Sequence, residues 1–295
     1  MKLQKGFMID IFEKLSTPLE ERKLETLQRL YSVMGDNPVL LLGAYARDIL
    51  FHHLYGIENL PSTTGDIDTC VKVASWESFY SIRRNLRKIG FDNRNAEHPE
   101  KFTDENSQEI DVLPFGELSE DGRYIVWPED NSRWTVLGIQ EAYDNSWLFK
   151  QPGFQFQIAT PPAIIYLKLF AINDRPSARA NKDARDIAFV LDNYSKVFGG
   201  ERLKSSGSDG DILKRCKGNL KIAKAHLAGR DIGRFAEDQT IEKLLSILDK
   251  ETTSSSRCPI AHSLAKHYKG SFVQSRKVLK RIIKGITDIA HKKSD

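Results

Sequence analysis

The hydrophobic pattern of this chain changes at Pro161, and that change constrains its architecture more than any other feature. Before it, short apolar or β-branched runs alternate with helical spacings. VLLLG at 39–43, DIDTCVKV at 66–73, QEIDVLPF at 108–115 and FQFQIA at 154–159 each have the length and content of a strand. Between them, 45–54 and 76–89 carry helical spacing, and Gly90 stops the second. An earlier amphipathic stretch runs through Leu19, Leu24, Leu27, Leu30, Tyr31 and Met34, with Thr17-Pro18 in its first turn and Gly35 closing it. That helix is expected to cover the sheet. After Pro161 the pattern is helical: Pro161-Pro162 opens an apolar helix to about 171, a polar loop holds 174–177, and 180–194 and the remainder follow helical spacing. The expected class is α/β (α+β), a mixed sheet flanked by helices within 1–160, followed by a helical region over 161–295. The stretch 117–145, with its aromatic clusters and Pro128, gives no clear pattern, and GGERLKSSGSDGD at 199–211 suits either a flexible connector or a surface loop between packed helices.

Composition narrows the classes further. With 40% hydrophobic and 28% charged residues the chain is that of a soluble globular protein, and no apolar run approaches the roughly 18–20 residues needed to span a bilayer. The opening MKLQKGFMIDIFEKL is interrupted by Asp10, Glu13 and Lys14, which is wrong for a secretion signal, so a cytoplasmic location is expected. Cys70, Cys216 and Cys258 are far apart and form neither a disulfide framework nor a zinc pattern; Cys70, in an apolar strand, reads as a small buried hydrophobe. Charge is uneven: 201–295 holds 21 basic against 11 acidic residues, +10, while 1–200 holds 23 against 29, −6. A basic tail suits contact with a polyanion and also suits a plain solvated surface.

The chemistry sits in three carboxylates. Strand side chains alternate between faces, so Asp66 and Asp68 leave on one face while Ile67 takes the other. Two anions in so small a space repel unless a cation lies between them, and carboxylates with phosphate oxygens are the hard ligands that magnesium prefers. Asp111 would complete the group if its strand lies beside the first. Three carboxylates can hold two ions, Mg2+ or Mn2+, one carrying the phosphates of a nucleoside triphosphate and one lowering the pKa of an attacking hydroxyl, with Asp111 as general base. Gly43, followed by Ala44, lies where strand meets helix, and a residue without Cβ there lets backbone N–H groups approach a phosphate closely. Arg47, one helical turn later, faces either the triphosphate or a carboxylate of the site. Taken singly, a DxD is most often a solvated strand edge or turn, and a Gly at a strand end is only a turn.

Together, LLLGAYARDIL, TTGDIDTCV and EIDVLPFG resemble the DNA polymerase β-like nucleotidyltransferase superfamily in order and context. Downstream, AIIYLKLFAINDRPSARANKDARDIAFVL resembles the helical motif of its AbiEii-type branch, a Lys followed by a basic loop and KDxxD. The resemblance covers roughly 39–194 and fades over the tail, where GRDIGRFA is only suggestive. It implies that Asp66 and Asp68 are metal ligands, Asp111 the third carboxylate, Gly43 the phosphate turn and Lys168 a contact to the nucleotide phosphates, with Asp183 or Asp186 ordering that helix near the site. It also implies a nucleoside triphosphate as substrate, an RNA acceptor, with tRNA among the candidates, and, for several members of the branch, a toxin paired with an antitoxin protein. The chain departs from the superfamily in having Gly43-Ala44 where Gly-Gly or Gly-Ser is usual, which removes a hydroxyl contact and leaves the backbone donors. Its 21 residues between Ala44 and Asp66 also make a longer loop than in the smallest members.

Bland and rival readings accompany these. On a helix, Arg179 with Asp183 and Lys182 with Asp186 are i, i+4 pairs, the ordinary arrangement of a solvated face. Lys168 lies amid apolar residues and must snorkel out or face a polar site. GAYARDILFHHLYG followed by DID also resembles the opening of tRNA CCA-adding enzymes, although no base-selecting basic motif is evident between Phe115 and Gln157. A non-catalytic binding protein that keeps the fold is the remaining alternative. In the tail, Val278, Leu279, Ile282, Ile283, Ile286 and Ile289 form an apolar helical stripe, and Arg276, Lys277, Lys280, Arg281 and Lys284 fall largely elsewhere on the helix.

Overall fold

The computed structural model describes residues 8–9, 14–61, 64–93, 98–119, 121–151, 153–174, 177–204, 206–207, 209–253, 258–268 and 271–293. The chain divides into two compact units, Gln4–Thr160 and Pro161–Asp295. Among the described residues no helix is long and apolar enough to cross a membrane.

In the first unit the elements run β1 (Met8–Ile9), α1 (Glu21–Ser32), β2 (Val39–Leu42), α2 (Gly43–Asp48), β3 (Ile67–Val73), α3 (Trp76–Lys88), β4 (Lys101–Thr103), β5 (Glu109–Gly116), β6 (Tyr124–Val126), β7 (Arg133–Thr135), α4 (Ile139–Asp144), β8 (Trp147–Gln151) and β9 (Phe154–Ile158). Seven strands make one mixed sheet in the order β1-β8-β9-β2-β3-β5-β4, and β6 and β7 form a separate hairpin. The continuously apolar VLLL is buried at Val39, Leu40 and Leu41, which suits a central strand. It pairs antiparallel with β3 and parallel with β9. β5 runs parallel to β3 and antiparallel to β4. Pro114 is tolerated within β5 because β4 pairs only with Glu109 to Asp111, so that edge is open at Pro114.

Several boundaries differ from the sequence expectation. α1 begins at Glu21, after Pro18, because the amides of Ser16 and Thr17 donate to His53 O and hold the chain outside the helix. Its apolar face buries Leu27 and Leu30, and Tyr31 meets Phe154 and Phe156 of β9. The helix expected at 45–54 starts at Gly43 and widens into a π-helix over Ile49–Leu54. β3 begins at Ile67, leaving Asp66 on the bend before it. Ser75 caps α3 by accepting from the Ser78 amide, and Gly90, at φ +91°, ends the turn that follows it. The unparsed stretch 117–145 supplies β6, β7 and α4, with Trp127 fully buried against Trp76, Phe79 and Trp134.

The second unit is helical: α5 (Pro161–Asp174), α6 (Ser177–Val197), α7 (Gly210–Arg215), α8 (Leu220–Phe235), α9 (Asp238–Thr253), α10 (Pro259–His267) and α11 (Phe272–Lys293). α8 and α11 pack with backbones nearly touching. A Cβ on Gly229 would lie 2.2 Å from Ile282 O, and one on Gly285 would lie 2.1 Å from His226 O. Val278, Leu279, Ile282 and Ile286 are buried, while Lys277, Lys280 and Lys284 are exposed on the same helix, as the tail stripe suggested.

The described part of 199–211 is built into this unit rather than strung across solvent. It forms a 3-10 turn at Glu201–Leu203, and its Arg202 and Asp209 are buried partners, Nε to Oδ2 at 2.8 Å; residues 205 and 208 lie outside the described residues. Asp209 also accepts from Arg230 at 2.9 Å and Arg234 at 3.0 Å. Asp231, fully buried, accepts from Arg202 and from Tyr194 Oη at 2.8 Å. Asp288 of α11 accepts from Arg230 at 3.1 Å and pairs with His226 at 2.9 Å. The charges of GRDIGRFA are thus spent on an internal network.

Candidate active site

The register of the sheet brings two of the three carboxylates side by side. Asp68 of β3 pairs with Asp111 of the parallel β5, so both side chains leave on one face of adjacent strands, about 4.8 Å apart. Asp66 stands at the head of β3, two residues before Asp68. All three are half-buried. Thr64 Oγ1 donates to Asp66 Oδ1, and the bend carrying Asp66 is fastened by Gln108 Nε2 on Gly65 O and by Lys23 Nζ on Thr64 O at 2.7 Å. Thr69 Oγ1 donates to Asp111 O at 2.7 Å, tying β3 to β5 beside the carboxylates.

Gly43 makes this arrangement possible. Its φ of +73° is a left-handed value that L residues rarely adopt, and a Cβ there would lie 1.9 Å from Asp68 Oδ2. The Asp68 carboxylate therefore packs against a bare Cα, with Ala44 buried behind it. Arg47 departs from expectation. It is completely buried, and its Nε donates to Asp48 Oδ1 at 2.7 Å, which is not the open placement of a phosphate contact.

A residue that sequence reasoning missed completes the group. Lys101 of β4 pairs with Asp111, and its Nζ donates to Oδ1 at 3.0 Å and Oδ2 at 3.3 Å. Burial raises the Asp111 carboxyl above its usual range, Lys101 pulls it down, and the like charges of Glu100 and Asp66 push it up again, so the net shift is upward. For Lys101, burial alone would lower the ammonium, and Asp111 with Glu100 and Glu109 outweighs it and raises it. The two shifts share one cause: negative charge here exceeds what a single ammonium balances. Cys70, beneath Asp68 and Asp111, is buried, and burial with those two charges raises its thiol far out of reactive range. The signal for Lys101 was a short hairpin: Asp104 Oδ1 accepts from the amides of Asn106 and Gln108 at 2.9 and 2.8 Å, a side-chain-closed turn between β4 and β5.

The donor set fits a divalent cation in kind, since hard carboxylate oxygens converge where a positive charge is already held. Among the described residues, no three His, Cys, Asp or Glu side chains are gathered tightly enough to enclose an ion as they stand.

In the helical unit, Lys168 of α5 is buried between two carboxylates of α6, Nζ to Asp183 Oδ1 at 2.9 Å and to Asp186 Oδ2 at 2.7 Å. Burial would lower its ammonium, and the two carboxylates overcome this and raise it. Asp183 and Asp186 are therefore not members of a solvated i, i+4 face: they turn inward, whereas Lys182 is exposed and the Arg179 side chain lies outside the described residues. Lys168 answers the choice between snorkelling and a polar site with an internal ion cluster that locks α5 to α6, in place of a lysine open to phosphate.

No known protein-family description and no curated protein matches the chain.

Proposed function

We propose that this chain is a metal-dependent nucleotidyltransferase that transfers a nucleoside monophosphate from a nucleoside triphosphate to an RNA acceptor. The observation that carries the reading is the register pair Asp68 and Asp111, with Asp66 at the head of the same strand and Gly43 backed against Asp68. Asp66, Asp68 and Asp111 would hold Mg2+ or Mn2+, which when bound supplies charge neutralisation for the triphosphate and acidifies the acceptor hydroxyl. Asp111 is the group suited to take that hydroxyl's proton, because burial and neighbouring carboxylates raise its basicity. The acceptor oxygen bonds to the α-phosphorus, the bond to the bridging oxygen breaks, and pyrophosphate leaves with the electron pair. Gly43 leaves room for the Asp68 carboxylate and for close approach of backbone donors. Lys168, Asp183 and Asp186 support the reading only as a fixed ion cluster of the helical unit.

The test is incubation of the purified chain with Mg2+, each labelled nucleoside triphosphate in turn and total small RNA, beside Asp66→Ala/Asp68→Ala. Label is expected on RNA with the wild type and at least about 100-fold less with the variant, the loss typical of removing a charge-stabilising group. Equal labelling by both would sink the assignment. Sequential addition of C and A to tRNA lacking its CCA end would favour the CCA-adding alternative. A toxin role predicts growth arrest on expression that a cognate antitoxin protein relieves and that Asp66→Ala/Asp68→Ala abolishes.

A further inference from the structure

Four residues form one row across the sheet at matched register: Leu42, Asp68, Asp111 and Lys101. Partners at matched register project to the same face. The row therefore carries an apolar residue, two carboxylates and an ammonium, in that order. Lys101 Nζ engages both oxygens of Asp111, at 3.0 and 3.3 Å, and so occupies the side of the carboxylate that a bridging metal ion would use. Its place is set by the backbone. β4 pairs with β5 through Lys101↔Asp111, Phe102↔Ile110 and Thr103↔Glu109, and Phe102 is buried. The turn between them is pinned by Asp104, which also accepts from Thr26 Oγ1 of α1 at 2.9 Å. A slip of one residue would bury Lys101 in place of Phe102, so the register is strongly specified.

The geometry points to Lys101 as a built-in cation of the candidate site: its ammonium takes the place of a second divalent ion on Asp111, and the site holds one divalent ion instead of two. This rests on the reading of the three carboxylates as a metal site. Charge agrees with it, since three carboxylates and one ammonium sum to −2, which a single divalent ion balances. An ammonium is a compact point charge with three donors, so it can hold a carboxylate by two oxygens as an ion does. Unlike a second metal, it is present whatever the metal supply.

Titration of the full chain with Mn2+, followed by the electron paramagnetic resonance signal of the free ion, counts bound ions without turnover. Wild type is expected to bind one Mn2+, Lys101→Arg to stay at one because a cation remains, and Lys101→Met to bind two. Two ions on the wild type would overturn the inference and leave the nucleotidyltransferase reading intact. One ion on a Lys101→Met protein with unchanged circular dichroism would do the same. Absence of bound Mn2+ from all three proteins would overturn both. If Lys101→Met does not fold, the wild-type and Lys101→Arg counts still decide.

Discussion

At Gly43, two independent demands fall on one residue: a backbone at φ +73° and a side of the Cα taken up by Asp68 Oδ2. Gly43→Ala is expected to cost about 1–2 kcal/mol from the left-handed conformation alone. The added Cβ would also push the Asp68 carboxylate aside, so Mn2+ affinity should fall together with the melting temperature; an unchanged melt and titration would show that the turn is not under this constraint. The glycine was legible in the sequence, as were Asp66, Asp68 and Asp111 as a candidate group, because a DxD beside a strand signal is a local pattern. Lys101 was not. Its meaning comes from a cross-strand partner ten positions away, and nothing in PEKFT distinguishes a lysine aimed at a carboxylate from one aimed at water. Arg47 failed in the opposite direction: helical spacing placed it one turn after Gly43 and said nothing of Asp48 beside it, which satisfies it in the interior.

Among the elements, the strands read correctly were those with four or more apolar or β-branched residues, β2, β3, β5 and β9. β1, β4, β6 and β7 have two or three residues each, too few for an alternation to show. β8, with Trp147 and Phe149 buried, was hidden in a stretch whose aromatic residues also serve the Trp127 cluster. The amphipathic stripe of α11 was legible, but its close approach to α8 was not, since glycine within a helix more often signals a weak point than a crossing. That crossing gives a test with a distinctive sign. At an exposed helix position Gly→Ala stabilises by about 1 kcal/mol. Gly285→Ala should instead destabilise by about 1–3 kcal/mol, because the Cβ would meet His226 O at 2.1 Å, and denaturant unfolding would read the difference. The network around Asp209 adds a second. Burial alone would raise the Asp209 carboxyl, and hydrogen bonds and charge from Arg230, Arg202 and Arg234 outweigh it and hold it well below the usual carboxylate range. A depressed folded pKa contributes stability above the unfolded value near 3.9 and loses it as pH falls through the folded value. Asp209→Asn should therefore lose about 3–5 kcal/mol near neutrality, leaving three arginines without their shared partner, and the gap to wild type should close only well below pH 4.

For the whole molecule, the mixed sheet and the helical C-terminal region followed from the pattern change at Pro161, where α5 begins. The charge asymmetry needs a finer reading than the count of +10. Arg202 and Arg230 are buried and paired with Asp209 and Asp231, so the basic surface available to a polyanion is smaller than composition implied. On α11, Arg276 is engaged with Glu251 O, and Lys284 with Asp288 at 3.0 Å, while Lys277 and Lys280 are exposed. If this helix docks RNA, Lys277→Glu/Lys280→Glu should weaken binding and reduce the salt slope by roughly 0.7 for each phosphate no longer neutralised. Unchanged affinity and slope would leave α11 as a structural helix only.

The strand order also sets a schedule for synthesis. β2 receives β3 on one edge soon after Val73 emerges, but its other neighbour, β9, ends at Ile158. At about 5–20 residues per second, the stretch of chain between Leu42 and Ile158 takes roughly 6 to 23 s to make. Throughout that interval one edge of the most apolar strand in the sheet is an open template for other chains. Slowing translation within 74–150 should therefore raise the fraction of newly made protein that aggregates, and slowing it after Pro161 should not.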